Sequence, residues 1–488
     1  FKAEALYAFA GQLLWHIDLK LSEDACPEEA DALLQGWFGF IRQAAPEHLS
    51  AEFELLQQSR EHSASALELA RRDSAGQPFS GLDTQGLQAL RALLEGLPGR
   101  EHGHWQLPAV DPLLLADLPD ARSHPLPAAL KVSDQLPGAR QYAALYLRWH
   151  VPSPLRQRLH ALLERALHPL QERCERVSVQ LQFSTAGEYW QLRCAGLPTA
   201  VLRPVEQALA LMPKPPAGSW LPSSTQPPAL IPIRALLKQL PDAVLGATPE
   251  PAAACTLAQT HLDSLWQQAR WHGLAAGFDD AALNALGTVL QHCPGQGSAP
   301  GPLPAWANHR WQHAEVPGSE HALLLFCPLP AAMEAAGRLL AQLLQGPVYQ
   351  RLRVELQLGY AVFSTFRQVE GVGGLLFGVQ SPHASQVQIL DHLLTLLREG
   401  VTLAPAARQA LAGQFDEPAM GNAEVAEWAW QTFLATQPGK LDALRRSILK
   451  TRQTDLDHLL SHLLDTGSTW LCLANAAAPD ASWLGTTP

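Results

Sequence analysis

The sequence predicts an α+β fold of repeated αβ-roll domains, in which helices pack on mostly antiparallel sheets. The first observation behind this is the order strand, helix, hairpin, helix, which occurs over residues 143–211 and again over 322–399, roughly 180 residues later. The second is the composition of the 488 residues: 47% hydrophobic and 17% charged residues are typical of a protein with a substantial core. At about 150 residues per domain, the length predicts about three domains. We expect their limits at 1–118, 119–299 and 300–488.

The first domain begins with a strand, since residues 12–21 alternate apolar and polar side chains. A turn that contains Pro27 leads to a helix at 28–44, and a second helix is predicted at 49–72. The Pro- and Gly-rich stretch 74–138 contains an interdomain connection.

The second domain begins with a strand at 143–151, and a helix at 155–170 carries leucines along one face. Its further predicted elements are strands at 177–183 and 189–195, and helices at 201–211, 233–240, 252–273 and 279–291. Residues 294–304, with the sequence PGQGSAPGPLP, have the composition of a linker.

The third domain repeats this order. Its predicted elements are a strand at 322–328, a helix at 333–345 that continues over 348–358, a hairpin at 360–366 and 374–379, helices at 387–399, 405–416, 422–435 and 440–464, and a strand at 469–474. The repeat rests on the order of the elements, because identity between the two segments is slight.

Charge and cysteine usage exclude several classes of protein. The formal net charge of −11 disfavours nucleic-acid binding, which needs a basic surface. No apolar run reaches the ~18 residues of a membrane span. Seven cysteines without a C-x-x-C pattern argue against a disulfide framework or a cysteine zinc site. We therefore expect a protein of the reducing bacterial cytoplasm.

Residues 345–366, QGPVYQRLRVELQLGYAVFSTF, carry the most specific signal in the chain. They predict an amphipathic helix that turns into a strand at Gln357–Tyr360, and Gly359 can adopt positive φ there without a steric penalty. The segment resembles the LRxxxQLGYxV signature of the insulinase/pitrilysin family of zinc metallopeptidases. The resemblance extends over most of the chain in element order, but only residues 345–380 are specific.

The resemblance implies that this chain is part of a clam-shaped peptidase whose fourth domain carries the signature. In that family the arginine and tyrosine of the signature enter a closed chamber and contact the bound peptide near the scissile bond. The matching residues here are Arg353 and Tyr360, and Tyr360 would donate a hydrogen bond to the developing oxyanion. The family also binds a substrate amino terminus along a strand edge, where Gly11 would allow close approach.

The zinc motif of the family, H-x-x-E-H, is missing from the sequence. The nearest patterns, His309 with His313 and His458 with His462, lack the glutamate that would act as general base. The second pair is best interpreted as the solvated face of a helix. We expect this chain to bind no zinc, and the ion to belong to an amino-terminal part that precedes Phe1, either covalently attached or as a separate chain.

The resemblance implies a carboxy-terminal, substrate-enclosing part of a zinc metalloendopeptidase that cleaves small peptides. The composition most resembles a bacterial branch of the family associated with pyrroloquinoline quinone biosynthesis, whose substrate would be a small precursor peptide with a Glu–Tyr crosslink. The expected partners are a peptide substrate and the amino-terminal half, with no nucleic acid and no membrane. The alternatives are a catalytically silent companion or scaffold subunit, or a structural core subunit in which Arg353 and Tyr360 would tolerate replacement.

Overall fold

A computed structural model describes most of the chain. It covers residues 2–9, 12–18, 26–43, 45–47, 49–50, 64–76, 83–97, 124–221, 230–246, 256–304, 308–316, 318–404, 406–436, 439–465, 469–480 and 483–485, and positions 53, 54, 57, 61 and 113. The chain divides into two compact units. Residues 1–61 and 76–111 form the first unit, and residues 62–75 and 112–488 form the second.

The strands in chain order are β1 Lys2–Phe9, β2 Gln12–Asp18, β3 Leu130–Ser133, β4 Ala143–His150, β5 Gln180–Ala186, β6 Tyr189–Gly196, β7 Arg270–Ala276, β8 Gln296–Gly297, β9 Arg310–His313, β10 His321–Pro328, β11 Val362–Val369, β12 Val372–Ser381, β13 Leu471–Ala474 and β14 Leu484–Gly485. The helices in chain order are α1 Pro27–Arg42, α2 Ala66–Ser74, α3 Thr84–Gly96, α4 Arg156–Arg176, α5 Pro198–Leu211, α6 Pro232–Leu245, α7 Gln259–Gln268, α8 Asp280–Val289, α9 Glu334–Val348, α10 Gln386–Glu399, α11 Ala407–Gln414, α12 Asn422–Leu434, α13 Leu441–Lys450 and α14 Gln453–Leu464.

The first unit pairs β1 and β2 as an antiparallel hairpin and adds the helices α1 and α3. Pro27 starts α1, in the position where its missing N–H costs nothing. Asp83 caps α3, because its carboxylate accepts a hydrogen bond from the N–H of Gly86 at 2.7 Å.

Two mixed sheets lie in the second unit. The first sheet runs β3-β7-β4-β6-β5, with β8 also paired to β7, and the second runs β14-β9-β13-β10-β12-β11. The five strands from β3 to β5 and from β9 to β11 have the same order; in both sets the two hairpin strands are antiparallel, and β3 or β9 is parallel to β7 or β13. The predicted α+β fold with a repeated order of elements is therefore confirmed.

Helices of the same repeat cover one face of each sheet. In the first sheet the odd-numbered residues of β4, such as Leu145 and Leu147, are buried with leucines of α4 and α5. In the second sheet, Leu323 and Leu325 of β10 are buried with α9 and α10. These faces hold the large apolar side chains that the sequence pattern predicts.

The opposite faces are covered by exchanged helices. Ile233, Leu236 and Leu240 of α6, from the first repeat, pack against the second sheet. In return α12, from the second repeat, packs on β4 and β7 of the first sheet. There the Trp430 ring stacks on the Tyr146 ring, with centroids 5.0 Å apart and planes 9° apart. Each sheet is thus sandwiched between its own helices and a helix of the other repeat.

Several predicted boundaries were wrong for identifiable reasons. The helix predicted at 252–273 ends at Gln268, and β7 begins at Arg270. Nearly every residue of β7 is buried, so the strand lacks the alternation that would reveal it. The helix predicted at 440–464 is two helices, because the chain is extended at Thr451 and Arg452. The helix predicted at 49–72 does not run through Ser65, which caps α2.

Candidate functional site

The signature corner, residues 349–360, begins where α9 widens. Tyr349–Glu355 continue α9 as a π-helix, a form that occurs frequently at functional sites. The corner is closed by two backbone hydrogen bonds, from the N–H of Leu356 to the carbonyl of Arg351 at 3.0 Å and from the N–H of Leu358 to the carbonyl of Leu352 at 2.9 Å. Leu352 and Leu358 are buried, so this turn is anchored in the core.

Two residues of the corner have unusual backbone requirements. Gln357 adopts the left-handed conformation, with φ of 52°, that ends many helices. Gly359 has φ of 156° and passes so close to β12 that a Cβ atom would overlap the carbonyl oxygen of Gln380. The close approach is therefore the reason for a glycine immediately before Tyr360.

Arg353 and Tyr360 come together on the surface of the corner. The Arg353 Cζ atom lies 5.6 Å from the centre of the Tyr360 ring and 5.1 Å from the centre of the Tyr349 ring, both within the range of a cation–π contact. We call these three residues the arginine–tyrosine cluster. The Tyr360 side chain is 90% exposed, so the described residues do not enclose it. The cluster is open to a second molecule.

Tyr349 is the member of this cluster that the sequence argument missed. It lies four residues before Arg353, and side chains at this spacing meet on a helix face. That spacing was the available signal. Arg351, in contrast, makes an exposed ion pair with Glu355 at 2.7 Å and is not part of the cluster.

The two histidine pairs do not form a metal centre. The His309 ring stacks on the Trp470 ring at 4.5 Å, and its Nδ1 accepts a hydrogen bond from the Trp470 backbone N–H at 3.1 Å. His458 and His462 lie on α14 at its outer side. Among the residues that the structure describes, no group of three or more His, Cys, Asp or Glu side chains could hold a metal ion. Zinc therefore does not fit the described part of this chain.

Two further expectations concern Gly11 and membrane-spanning helices. Gly11 lies outside the described residues, so its predicted contact with a substrate amino terminus stays a prediction. Over the described residues, the helices are all too short or too polar to cross a membrane.

Comparison with known proteins gives matches over most of the chain. Residues 142–275 match the family model described as PQQ synthase PqqF, C-terminal lobe domain 3, and residues 339–430 match the model for PqqF-like C-terminal lobe domain 4. The coenzyme PQQ synthesis protein F of Pseudomonas putida is 79% identical over 485 residues, which cover 99% of this chain and 63% of that protein. The protein of the same name from Pseudomonas protegens is 36% identical, again over 99% of this chain and 63% of its own length.

Solved structures share the fold at low identity. Pitrilysin superposes with a TM-score of 0.52 and 16% identity, over 83% of this chain and 49% of pitrilysin. A peptidase M16 inactive domain from Pseudomonas fluorescens superposes with a TM-score of 0.51 and 15% identity, over 73% of this chain and 99% of that domain. The chain thus spans 63% of the length of the two Pseudomonas relatives named above, and its matched segments correspond to the carboxy-terminal lobe.

Proposed function

We propose that this chain, a member of the PqqF-like branch of the insulinase/pitrilysin family, is the carboxy-terminal part of a metallopeptidase that cleaves small peptides. In this proposal the chain contacts the peptide substrate. The observation that carries the proposal is the arginine–tyrosine cluster, in which Arg353 is held between two tyrosine rings at an exposed corner. Both residues of the family signature are in this cluster.

The chemistry of the cluster suits an extended peptide. A guanidinium group supplies several N–H donors in a planar arrangement, and a peptide chain offers a row of carbonyl acceptors. Cation–π contacts with Tyr349 and Tyr360 would favour this position of the Arg353 side chain, which would reduce the conformational entropy lost on binding. The exposed Tyr360 hydroxyl would donate to the carbonyl oxygen as negative charge develops on it.

The zinc ion is proposed to bind outside this chain. Because the described residues do not form a zinc site, we place the zinc ion in the part of the relatives that this chain does not span, and we assign no bond-breaking step to the residues of this chain. The amino-terminal half that would hold the ion is the proposed partner, covalently attached or separate. The cytoplasmic location predicted from cysteine usage stays a prediction.

The proposed substrate class is a small peptide, and the names of the relatives favour the precursor peptide of pyrroloquinoline quinone. A corner that is open on its outer side needs a second wall to hold a peptide, which is consistent with a chamber completed by the rest of the protein.

Replacement of Arg353 in the complete protein tests the proposal. Arg353→Ala should lower kcat/KM for a short unstructured peptide by about tenfold or more, the loss expected for a charge-assisted hydrogen bond. Arg351→Ala is the matched control, because Arg351 lies two residues away on the same exposed turn but outside the cluster. Equal turnover of both variants would remove Arg353 from the site. A wild-type protein that hydrolyses no peptide with zinc supplied would instead favour the silent companion.

A further inference from the structure

The two repeats provide an internal comparison for the sheet faces that the exchanged helices cover. In the second sheet this face is apolar under α6, and the residues that form it include Leu324, Phe326, Leu376, Leu471 and Leu473. Aliphatic and aromatic side chains at these positions are therefore compatible with the fold.

In the first sheet one end of the equivalent face is polar, although Tyr146 and Leu274 on the same face are apolar. Arg148 of β4 lies opposite Gln191 of β6 and His272 of β7. The equivalent positions in the second sheet are Phe326 of β10, opposite Leu376 of β12 and Leu471 of β13. Three apolar residues of one repeat are thus replaced by Arg, Gln and His in the other. The shared fold does not require these polar groups.

Of these three residues, Arg148 and His272 line a cleft of about 390 Å³ at the junction of the two repeats. We call it the junction cleft. One wall is residues 300–304 of the linker, and Leu245 and Leu434 contribute apolar surface. This volume lies within the range of binding sites for small ligands.

Arg148 is buried, yet the structure gives its guanidinium group a single carboxylate partner. Its Nη2 atom lies 2.8 Å from the Glu370 carboxylate, and its Cζ atom lies 4.0 Å above the Tyr189 ring. Glu370 reaches this position from the β11–β12 turn, where its backbone is left-handed with φ of 54°. An arginine has five N–H donors, so the pair leaves hydrogen-bonding capacity at the cleft.

His272 lines the cleft and carries a buried ring nitrogen without a hydrogen-bond partner among the described residues. The residue is 4% exposed, and its Nε2 atom forms no hydrogen bond with any residue that the structure describes. Burial, reinforced by Arg148 and His150, lowers the pKa of His272 to about 4, so the ring is neutral near pH 7. A buried polar atom without a partner is costly. A leucine at this position, as in the second repeat, would avoid that cost.

We propose that the junction cleft binds an uncharged, amide-containing ligand, a blocked peptide segment of two to three residues. Arg148 donates hydrogen bonds to it, and a shift of the His272 ring brings the buried Nε2 atom into contact with it. The charges favour a neutral ligand. Arg148 is already balanced by Glu370, and Glu188 is paired with His150 at 3.1 Å. A carboxylate ligand would be repelled by the two glutamates, and an ammonium group by the arginine. Amide carbonyls accept from the remaining donors, and Leu245 and Leu434 contact the apolar part of the ligand.

The test is calorimetric titration of the complete protein with acetyl-Gly-Leu-Gly-amide and with the same tripeptide as a free acid. The blocked peptide should bind saturably, and more tightly than the free acid. His272→Leu should weaken binding about 5- to 10-fold, as expected for loss of one or two neutral hydrogen bonds. The melting temperature of this variant should not fall, because the second repeat has leucine at the equivalent position.

His168→Leu is the matched control, since His168 is exposed on α4 away from the cleft, and it should bind as the wild type does. Absence of saturable binding to the wild type, equal affinity in His272→Leu, or tighter binding of the free acid would each overturn the proposal. The first outcome means that the cleft holds only water. Zinc is removed before the titration to prevent turnover. Peptide binding at the arginine–tyrosine cluster would be unchanged in His272→Leu, so the variant separates this proposal from the proposed peptidase function.

Discussion

Replacement of His160 by phenylalanine should make the protein more resistant to acid. His160 lies on α4, where its ring stacks on the Phe183 ring with centroids 4.5 Å apart and planes 14° apart. The residue is 7% exposed, and its Nε2 atom has no partner among the described residues. Burial, opposed by a hydrogen bond to the backbone of Ser184, lowers the pKa of His160 to about 4. Phenylalanine has a similar shape and cannot be protonated.

The size of the effect follows from the two pKa values. In the unfolded chain the His160 ring has an ordinary histidine pKa of about 6.5, so it binds a proton below that pH. In the folded chain the ring stays neutral until the pH is near 4. The contribution of a neutral His160 to the free energy of unfolding is thus fully present above about pH 6.5 and is lost as the pH falls toward 4. Between about pH 7.5 and about pH 5 the loss is about 2 kcal/mol.

Urea unfolding at these two pH values measures this difference. We expect the free energy of unfolding of His160→Phe, relative to that of the wild type, to be about 2 kcal/mol higher at pH 5 than at pH 7.5. His168→Phe, which changes an exposed histidine on the same helix, should show no such difference. If the gap between His160→Phe and the wild type were the same at both pH values, His160 would not be buried in its neutral form.

Three other predictions follow from the site. Tyr360→Phe in the complete protein should lower kcat and kcat/KM together by about 10²-fold to 10³-fold, with an unchanged melting temperature; unchanged turnover on a short peptide would remove the hydroxyl from the mechanism. Gly359→Ala should lower the free energy of unfolding by about 1–3 kcal/mol and reduce turnover, because the added methyl group displaces the corner from the Gln380 carbonyl; a variant with wild-type values in urea unfolding and kinetics would contradict the geometry. The isolated chain should retain less than one zinc ion per molecule after dialysis, and metal analysis that finds one tightly bound ion would refute the assignment of zinc to another part of the protein.

The helices α5, α10 and α12 were predicted within a few residues, because one face of each is apolar at helical spacing. The strands β4 and β10 were also predicted within a few residues, as short apolar runs that are buried on both faces. Short strands such as β3 and β9, with four residues each, are too short for a period to be recognised. The sequence also indicates that α6 has an apolar face, but periodicity does not say which sheet covers that face.

The site was predictable in part for a different reason. Arg353 and Tyr360 were found through the resemblance of a short segment, and their role stays a prediction. The burial of His272 was not predicted, because this residue falls within the helix predicted at 252–273, whereas it lies in β7. Its burial is a consequence of α12 crossing from the other repeat, which is a contact between residues more than 150 positions apart.

The exchange of α6 and α12 means that neither repeat contains all of its own core. Removal of one repeat would strip an apolar or aromatic layer from the sheet of the other, so the two should unfold in a single cooperative transition. A protease that cuts the connection at 294–304 should not separate them, since the crossed helices still interlock the two fragments. Rigid coupling of this kind also prevents the repeats from hinging against each other. If the complete protein binds a peptide as proposed, a conformational opening between these two repeats would not be the entry route.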